Sequence, residues 1–356
     1  MNTVHVVVPG DVDDPEVPSG GNTYDRRVCR SLPDAGWAVR EHAVAGTWPS
    51  PDPAARAALA GVFAAVPDDA VVLVDGLVAC GVPDVVVPQA RRVRLVVLVH
   101  LPLGDEVGAA PGLAELERET LHAANAVVAT SPWGARRLAA VHRLGPDRVG
   151  VAAPGVDPAP PAAGTDGAGR LLCVGSITPT KGQDLLVAAL AAAADLPWRC
   201  DLVGPVRRDP AHVATVRQAV ERSGLGKRVR LTGPFTGERL AAAYAAADLL
   251  VVPSRTEAYG MVVTEALARA VPVLATAVGG LPQALGHAPD GRLPGILVRP
   301  ADASALVAAL RRWLTDAALR TQLRRAALQR RETLDSWDET ARRLAEVLGR
   351  LPCVTS

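Results

Sequence analysis

Short apolar runs alternate with amphipathic stretches along the whole chain. Residues 3–9 (TVHVVVP), 70–74, 94–100, 126–130 and 148–154 read as buried strands, and the stretches 22–36, 54–65 and 131–143 between them read as helices. The strands are continuously apolar rather than alternating, so both of their faces are buried, which implies a parallel sheet covered by helices. A Pro- and Gly-rich stretch, 154–169, interrupts the pattern and reads as a linker. A second series follows, with strands at 170–176, 198–205, 228–234, 248–254, 272–278 and 295–300, and helices at 181–194, 211–223, 237–246 and 259–269. From about 302 to 350 the pattern predicts continuous helix, with Trp313 and Trp337 as anchors. The predicted fold class is α/β: two doubly wound domains, 1–153 and 170–335, facing across a cleft. Ligands of open parallel sheets bind beyond the carboxyl ends of the strands, so the loops there must carry the chemistry.

Composition narrows the partners. Among 356 residues, 38 Lys and Arg stand against 37 Asp and Glu, a net charge of +1. No global field points to nucleic acid or an anionic membrane. No apolar run approaches the roughly 18 residues of a membrane span, so no integral membrane segment is predicted. The start of the chain lacks the basic flank and small-residue cleavage site of a secretory leader. Five widely spaced cysteines form no C-x-x-C pair, which fits a cytoplasmic protein with reduced thiols. Lys181 and Lys227 are the only lysines in an arginine-rich chain, so each retained lysine draws notice.

Three loops carry candidate chemistry. In PSRTEAYGMVVTEAL, Glu257 sits in a strand-to-helix loop and Glu265 lies two turns further on. The amides around Tyr259, Gly260 and Met261 open a helix between them, and free N–H groups there favour oxygen-rich ligands. An isolated E-x7-E would be a cap and a solvated position; the flanking PSR, YGM and PVLATAVGG favour hydroxyl binding. In LLCVGSITPTKGQDLL, a strand ends at Gly175, a loop containing Ser176 follows, and Lys181 stands at the mouth of a helix, where a phosphate would bind. This is not a Walker A loop. In PGDVDDPEVPSGGN, Gly20 and Gly21 allow close backbone approach at a helix start. Asp11 and Asp13 lack the supporting ligands of a metal site, so neither a metal nor another cofactor is expected. The glycine spacing also fails the dinucleotide fingerprint. His100 ends a buried strand and is expected to face the cleft, whereas His5 is expected to be packed.

Taken together, PSRTEAYGMVVTEALARAVPVLATAVGGLPQAL, VGSITPTKGQDLLVAAL upstream and the Gly-Gly loop resemble retaining glycosyltransferase family four, of the GT-B fold with two Rossmann-like domains. The resemblance runs through DLVGP and LTGPF to the C-terminal SWDETARRLAEVL. It implies that a helix at about 336–356 packs back on the N-terminal, acceptor-binding domain, and that 170–335 is the nucleotide-sugar donor domain. It further implies that Glu265 holds the ribose and Glu257 sits beside the transferred sugar. Tyr259, Gly260 and Met261 would contact the hydroxyls of that sugar. Lys181 would pair with the diphosphate, Gly20 and Gly21 would bind the donor with Gly21 lining the donor–acceptor junction, and His100 would aim at the sugar. Two positions depart from the family pattern. Ser176 stands where arginine is common, with Arg255, Arg207 or Arg208 as candidate substitutes, and Gln283 stands where an acid is common.

The expected reaction moves a glycosyl group from a nucleoside diphosphate sugar to a small-molecule or glycan acceptor, with retention and without a metal. UDP-sugars are expected first and GDP-sugars second. Two rivals are a nucleotide-sugar epimerase of the same fold, which would act without an acceptor, and a non-catalytic nucleotide-sugar-binding protein, motivated by Ser176.

Overall fold

A computed structural model describes residues 2–165 and 167–353. Residue 1, Asp166 of the expected linker and residues 354–356 of the expected terminal helix lie outside the described residues. The chain divides into two compact units. The first comprises Met1–Asp13, Gly20–Gly155 and Asp335–Ser356; the second comprises Asp14–Ser19 and Val156–Leu334.

The sheet of the first unit contains β1 (Asn2–Pro9), β2 (Trp37–Val44), β3 (Val71–Asp75), β4 (Arg94–Val99), β5 (Ala126–Ala129) and β6 (Val149–Val151). They run parallel in the order β2-β1-β3-β4-β5-β6. The chain steps from β1 outward to β2, then returns to build β3 on the other side of β1. The loops after β1 and β3 therefore flank a topological switch point, where open sheets of this kind admit ligands. The sequence pattern does not reveal β2 because it is an edge strand. Arg40, Glu41 and Ala43 face solvent, so the continuous apolar signature of a central strand never forms.

The edge pairing also settles His5. It is 5% exposed on β1, its Nδ1 lies 3.0 Å from His42 Nε2 on β2, and the two rings stack 5.2 Å apart. Burial, with the positive charge of the neighbouring histidine and of Arg40, holds His5 below its ordinary value. Burial and Arg40 likewise depress His42. A histidine favoured as neutral in the fold contributes stability above the unfolded value of about 6.5 and loses that contribution as pH falls through it. Between about pH 7.5 and about pH 5, the melting temperature of the wild type should therefore fall further than that of His42→Gln. Equal falls would remove this pair from the acid response.

The second unit holds β7 (Arg170–Val174), β8 (Arg199–Val203), β9 (Val229–Gly233), β10 (Leu249–Val252), β11 (Val273–Thr276) and β12 (Gly295–Val298). These are also parallel, in the order β12-β11-β10-β7-β8-β9. Here the reversal falls between β7 and β10, so the loops leaving those two strands become neighbours. The stretch before β7 is bonded onto this unit: Ala162 N donates to Arg269 O, Gly164 N to Ala245 O, and Thr165 to buried Asp248.

The C-terminal tail is not one continuous helix. It comprises three helices, Ala303–Thr315, Ala317–Arg330 and Trp337–Gly349, each begun by a side-chain cap from Asp302, Asp316 and Ser336 respectively. Asp316 and Ser336 accept from backbone N–H groups in extended conformations, which interrupts a pattern that looks helical by periodicity alone. Trp313 is fully buried and its Nε1 donates to Ala168 O. The last helix packs within the first unit, where the Trp337 ring meets Tyr24 edge-on at 5.8 Å. Thr340 Oγ1 in that helix donates to Ala153 O.

Candidate active-site residues

In the second unit the loop after β7 passes through Gly175 and half-buried Ser176 to a tight turn, Pro179–Lys181, ahead of the helix Gln183–Ala191. The loop after β10 carries Ser254, Arg255 and Glu257 to Gly260, which caps the helix Met261–Ala268 in a left-handed conformation. Because β7 and β10 are adjacent, the two loops meet. Lys181 Nζ donates to Glu257 Oε2 at 2.7 Å, and Ser254 Oγ lies 3.4 Å from the same oxygen. Residues 76 positions apart are thus placed by the switch point into one charged pair. The Lys181 side chain keeps about a third of its surface exposed, against 13% for Glu257, so the ammonium can still reach an anion.

Glu265 lies further along the same helix and accepts a hydrogen bond from Tyr244 Oη at 2.7 Å. Burial and the adjacent carboxylate push the Tyr244 hydroxyl well above its ordinary value, so it stays a donor and holds the carboxylate in place. The two glutamates therefore have separate partners. Tyr259 and Met261 are half-buried at the helix opening.

Of the candidate substitutes for a cation at Ser176, Arg255 is already committed. Its guanidinium grips Asp184 at 2.9 and 2.6 Å and donates to Pro179 O at 2.7 Å. It therefore braces the turn that carries Lys181. Arg207 and Arg208 are exposed in the loop after β8. That loop adjoins Ser176, since Ile177 N donates to Pro205 O at 3.0 Å.

Two residues to which the sequence assigns no individual role shape this half-site. Gln183 is fully buried, and its Nε2 donates to Ser176 O at 3.0 Å, which pins the loop after β7. Gly279, with φ +55, lies so close to Glu257 that a Cβ on it would sit 1.7 Å from Glu257 O. Gly280 N in turn donates to that oxygen at 2.9 Å. An exposed-looking Gly-Gly pair is thus the floor under Glu257.

In the first unit Gly20 and Gly21 begin the helix Gly20–Ser31, and His100 follows β4. A Cβ on Gly21 would lie 3.1 Å from His100 Cδ2, so glycine lets the helix start rest against the ring. His100 Nε2 lies 2.9 Å from Asp25 Oδ1 and 3.5 Å from Asp75 Oδ2. Tyr24 packs its edge against the ring at 5.2 Å and donates its hydroxyl to Ala152 O. Burial works against a charged His100, but the charge and hydrogen bonds of Asp25, then Asp75, outweigh it and raise the ring to about 10. Burial, then the Asp75 charge, pushes the Asp25 carboxyl up to about 7. Asp75 is held below its ordinary value: burial opposes this, but hydrogen bonding to and the charge of His100 outweigh it.

The turn beyond His100 is fixed by a second buried pair. Glu117 accepts from Leu103 N through both oxygens and lies 2.8 Å from His142 Nε2. Asp13, one of the two aspartates weighed as a metal ligand, is instead the bidentate partner of Arg26 at 2.6 Å.

The family described as "Glycosyl transferases group 1" matches residues 163–330, a span inside the second unit that includes Lys181, Glu257, Gly260, Met261 and Glu265. A D-inositol 3-phosphate glycosyltransferase of Kineococcus radiotolerans is 36% identical over 66% of this chain and 59% of its own length. The D-inositol 3-phosphate glycosyltransferase 1 of Catenulispora acidiphila is 32% identical over 73% of this chain and 68% of its own. The chain belongs to the group 1 glycosyl transferases. The fold of this family member agrees with that assignment. Sucrose-phosphate synthase from Thermosynechococcus elongatus superposes with a TM-score of 0.81 at 25% identity over 99% of both chains. The two parallel-sheet units are those of the GT-B fold. The chain spans little more than half the length of several of the curated relatives it matches, 59% and 52% for the first two. No helix among the described residues is long and apolar enough to cross a membrane.

Proposed function

We propose that this group 1 family member transfers a glycosyl group from a nucleoside diphosphate sugar to a small-molecule or glycan acceptor, with retention and without a metal. The observation that carries the reading is the Lys181–Glu257 pair at the switch point of the second sheet, beside the opening of the helix that presents Glu265. In the departure of a diphosphate, negative charge grows on the leaving oxygens, and a pre-placed ammonium stabilises it without reorganisation. Lys181 supplies that charge. Glu257 orients the ammonium and accepts from sugar hydroxyls. The N–H groups at Tyr259, Gly260 and Met261 favour further oxygens. Glu265, held by Tyr244, accepts from the vicinal hydroxyls of the ribose. The leaving phosphate takes the acceptor proton, so Glu257 positions rather than attacks.

The resemblance favours a UDP-sugar as donor, with a GDP-sugar second. The relatives' names make a polyol phosphate the first acceptor to try, and reduced thiols favour a cytoplasmic setting.

The test is donor binding followed by product analysis. A UDP-sugar at about 100 times its dissociation constant should stabilise the protein by about 2.7 kcal/mol, seen as a raised melting temperature. Glu265→Ala should weaken that binding by about 1.5–3 kcal/mol, on the order of ten- to a hundredfold. An unchanged donor affinity in Glu265→Ala would remove the ribose role. Failure of every nucleotide sugar to bind the wild type would remove the transferase reading.

A further inference from the structure

The first unit contains a charge arrangement that the transfer reaction as described does not use. Asp25, from the helix Gly20–Ser31, and Asp75, at the end of β3, are 2% and 4% exposed, and both face the ring of His100. Asp75 Oδ1 accepts from Leu77 N at 2.5 Å, which leaves its Oδ2 for the ring. Asp25 Oδ1 takes the short contact to Nε2, while its Oδ2 is buried with no hydrogen-bond partner.

Two carboxylates this deeply buried cannot remain ionised together without a cation, because the desolvation cost falls on each. Among the described residues His100 is the basic group in ion-pair contact with either of them. Arg26, on the same helix, is paired with Asp13 and Glu41 instead. Burial keeps the Tyr24 hydroxyl and the Cys80 thiol neutral, and Cys29 is likewise pushed up to about 12. Glu117 is spent on Leu103 N and His142. The ring itself is held from three sides, by Gly21, by the Tyr24 edge and by the two carboxylates. Both carboxylate contacts run through Nε2, and 21% of the side chain remains exposed.

We propose that Asp25 and Asp75 are positioning residues that hold His100 doubly protonated, with Nε2–H fixed between the two carboxylates and Nδ1–H left to donate to an oxygen of the bound substrate. A ring in this state is a donor only. His100 then recognises a hydroxyl or phosphate oxygen and has no lone pair with which to act as a base. The proposal rests on the transferase reading for the identity of the substrate, but not for the state of the ring.

The first test is therefore independent of turnover. In the wild-type protein labelled with nitrogen-15, the His100 ring, assigned by its absence in His100→Gln, should show two protonated nitrogens at neutral pH and beyond pH 9. Asp25→Asn and Asp75→Asn should each lower its titration midpoint by at least one pH unit. A wild-type ring that titrates near the ordinary histidine value overturns the proposal. So does a tightly held metal ion whose removal by chelator changes the ring signal. If Asp25→Asn fails to fold, the wild-type titration and Asp75→Asn still decide.

The second test uses the transfer reaction. The kcat/KM of Asp25→Asn should fall by about tenfold per pH unit above its lowered midpoint, while the wild-type profile stays level. Profiles of identical shape overturn the donor role. A protein with a doubly protonated His100 and no transfer to any acceptor would retain the clamp and discard the transferase reading.

Discussion

Lys181→Ala should lower kcat by about a hundred- to a thousandfold, or about 2.7–4 kcal/mol, the typical cost of losing one pre-placed charge-stabilising donor. In the fold that donor is already aimed. Its Nζ sits 2.7 Å from Glu257 Oε2, and the turn behind it is braced by Arg255 on Asp184 and on Pro179 O. Truncation also leaves Glu257 without its cation, so part of the loss falls on sugar positioning. The stability effect should be small by comparison, since the pair is partly solvated and exposed ion pairs contribute about 0–1 kcal/mol. Single-turnover rates and melting temperature, measured together, separate the two. Near-normal turnover would exclude Lys181 from the chemistry, and a large fall in melting temperature would make it a structural lysine.

The second large effect is expected at Gly279. An alanine there would place its Cβ 1.7 Å from the backbone oxygen of Glu257 and 2.8 Å from its carbonyl carbon, at a φ of +55. The left-handed conformation costs a non-glycine residue roughly 1–2 kcal/mol, and overpacking against backbone typically adds about 1–3 kcal/mol. The Glu257 segment must move, and with it the carboxylate that orients Lys181. Gly279→Ala should therefore lose both stability and turnover. Gly291→Ala is the control: its φ is +83, but a methyl group there would meet nothing within 4 Å, so it measures the strain alone. If both variants behave alike, the contact with Glu257 has no special weight.

How much of this is legible in the sequence depends on the range of the interaction. The alternation of apolar runs and amphipathic stretches is a local signal, and it locates eleven of the twelve strands that the two sheets contain. The strand it misses, β2, lies at an edge where one-sided burial weakens that signal. The tail fails in the opposite direction. Its helical periodicity is real, but Asp316 and the stretch around Ser336 cap new helices, and capping competes with continuation at single residues that periodicity averages over.

Lys181, Glu257 and Glu265 stand out in the sequence because a rare lysine and two spaced carboxylates sit at strand-to-helix junctions. Their partners do not. Tyr244, Gln183 and Gly279 look like ordinary core or loop residues, and Asp25 and Asp75 look like a helix-surface acid and a cap.

The sequence by itself determined the fold class, the two series of parallel strands and which loops leave their carboxyl ends, because each follows from burial patterns within a few residues. Tertiary structure alone decided that Lys181 meets Glu257, that Arg255 is spent on Asp184, and that two aspartates enclose His100. Those pairings join residues dozens of positions apart through strand order. Strand order is set by how helices cover the sheet as a whole, a global packing outcome with no local signature in the chain.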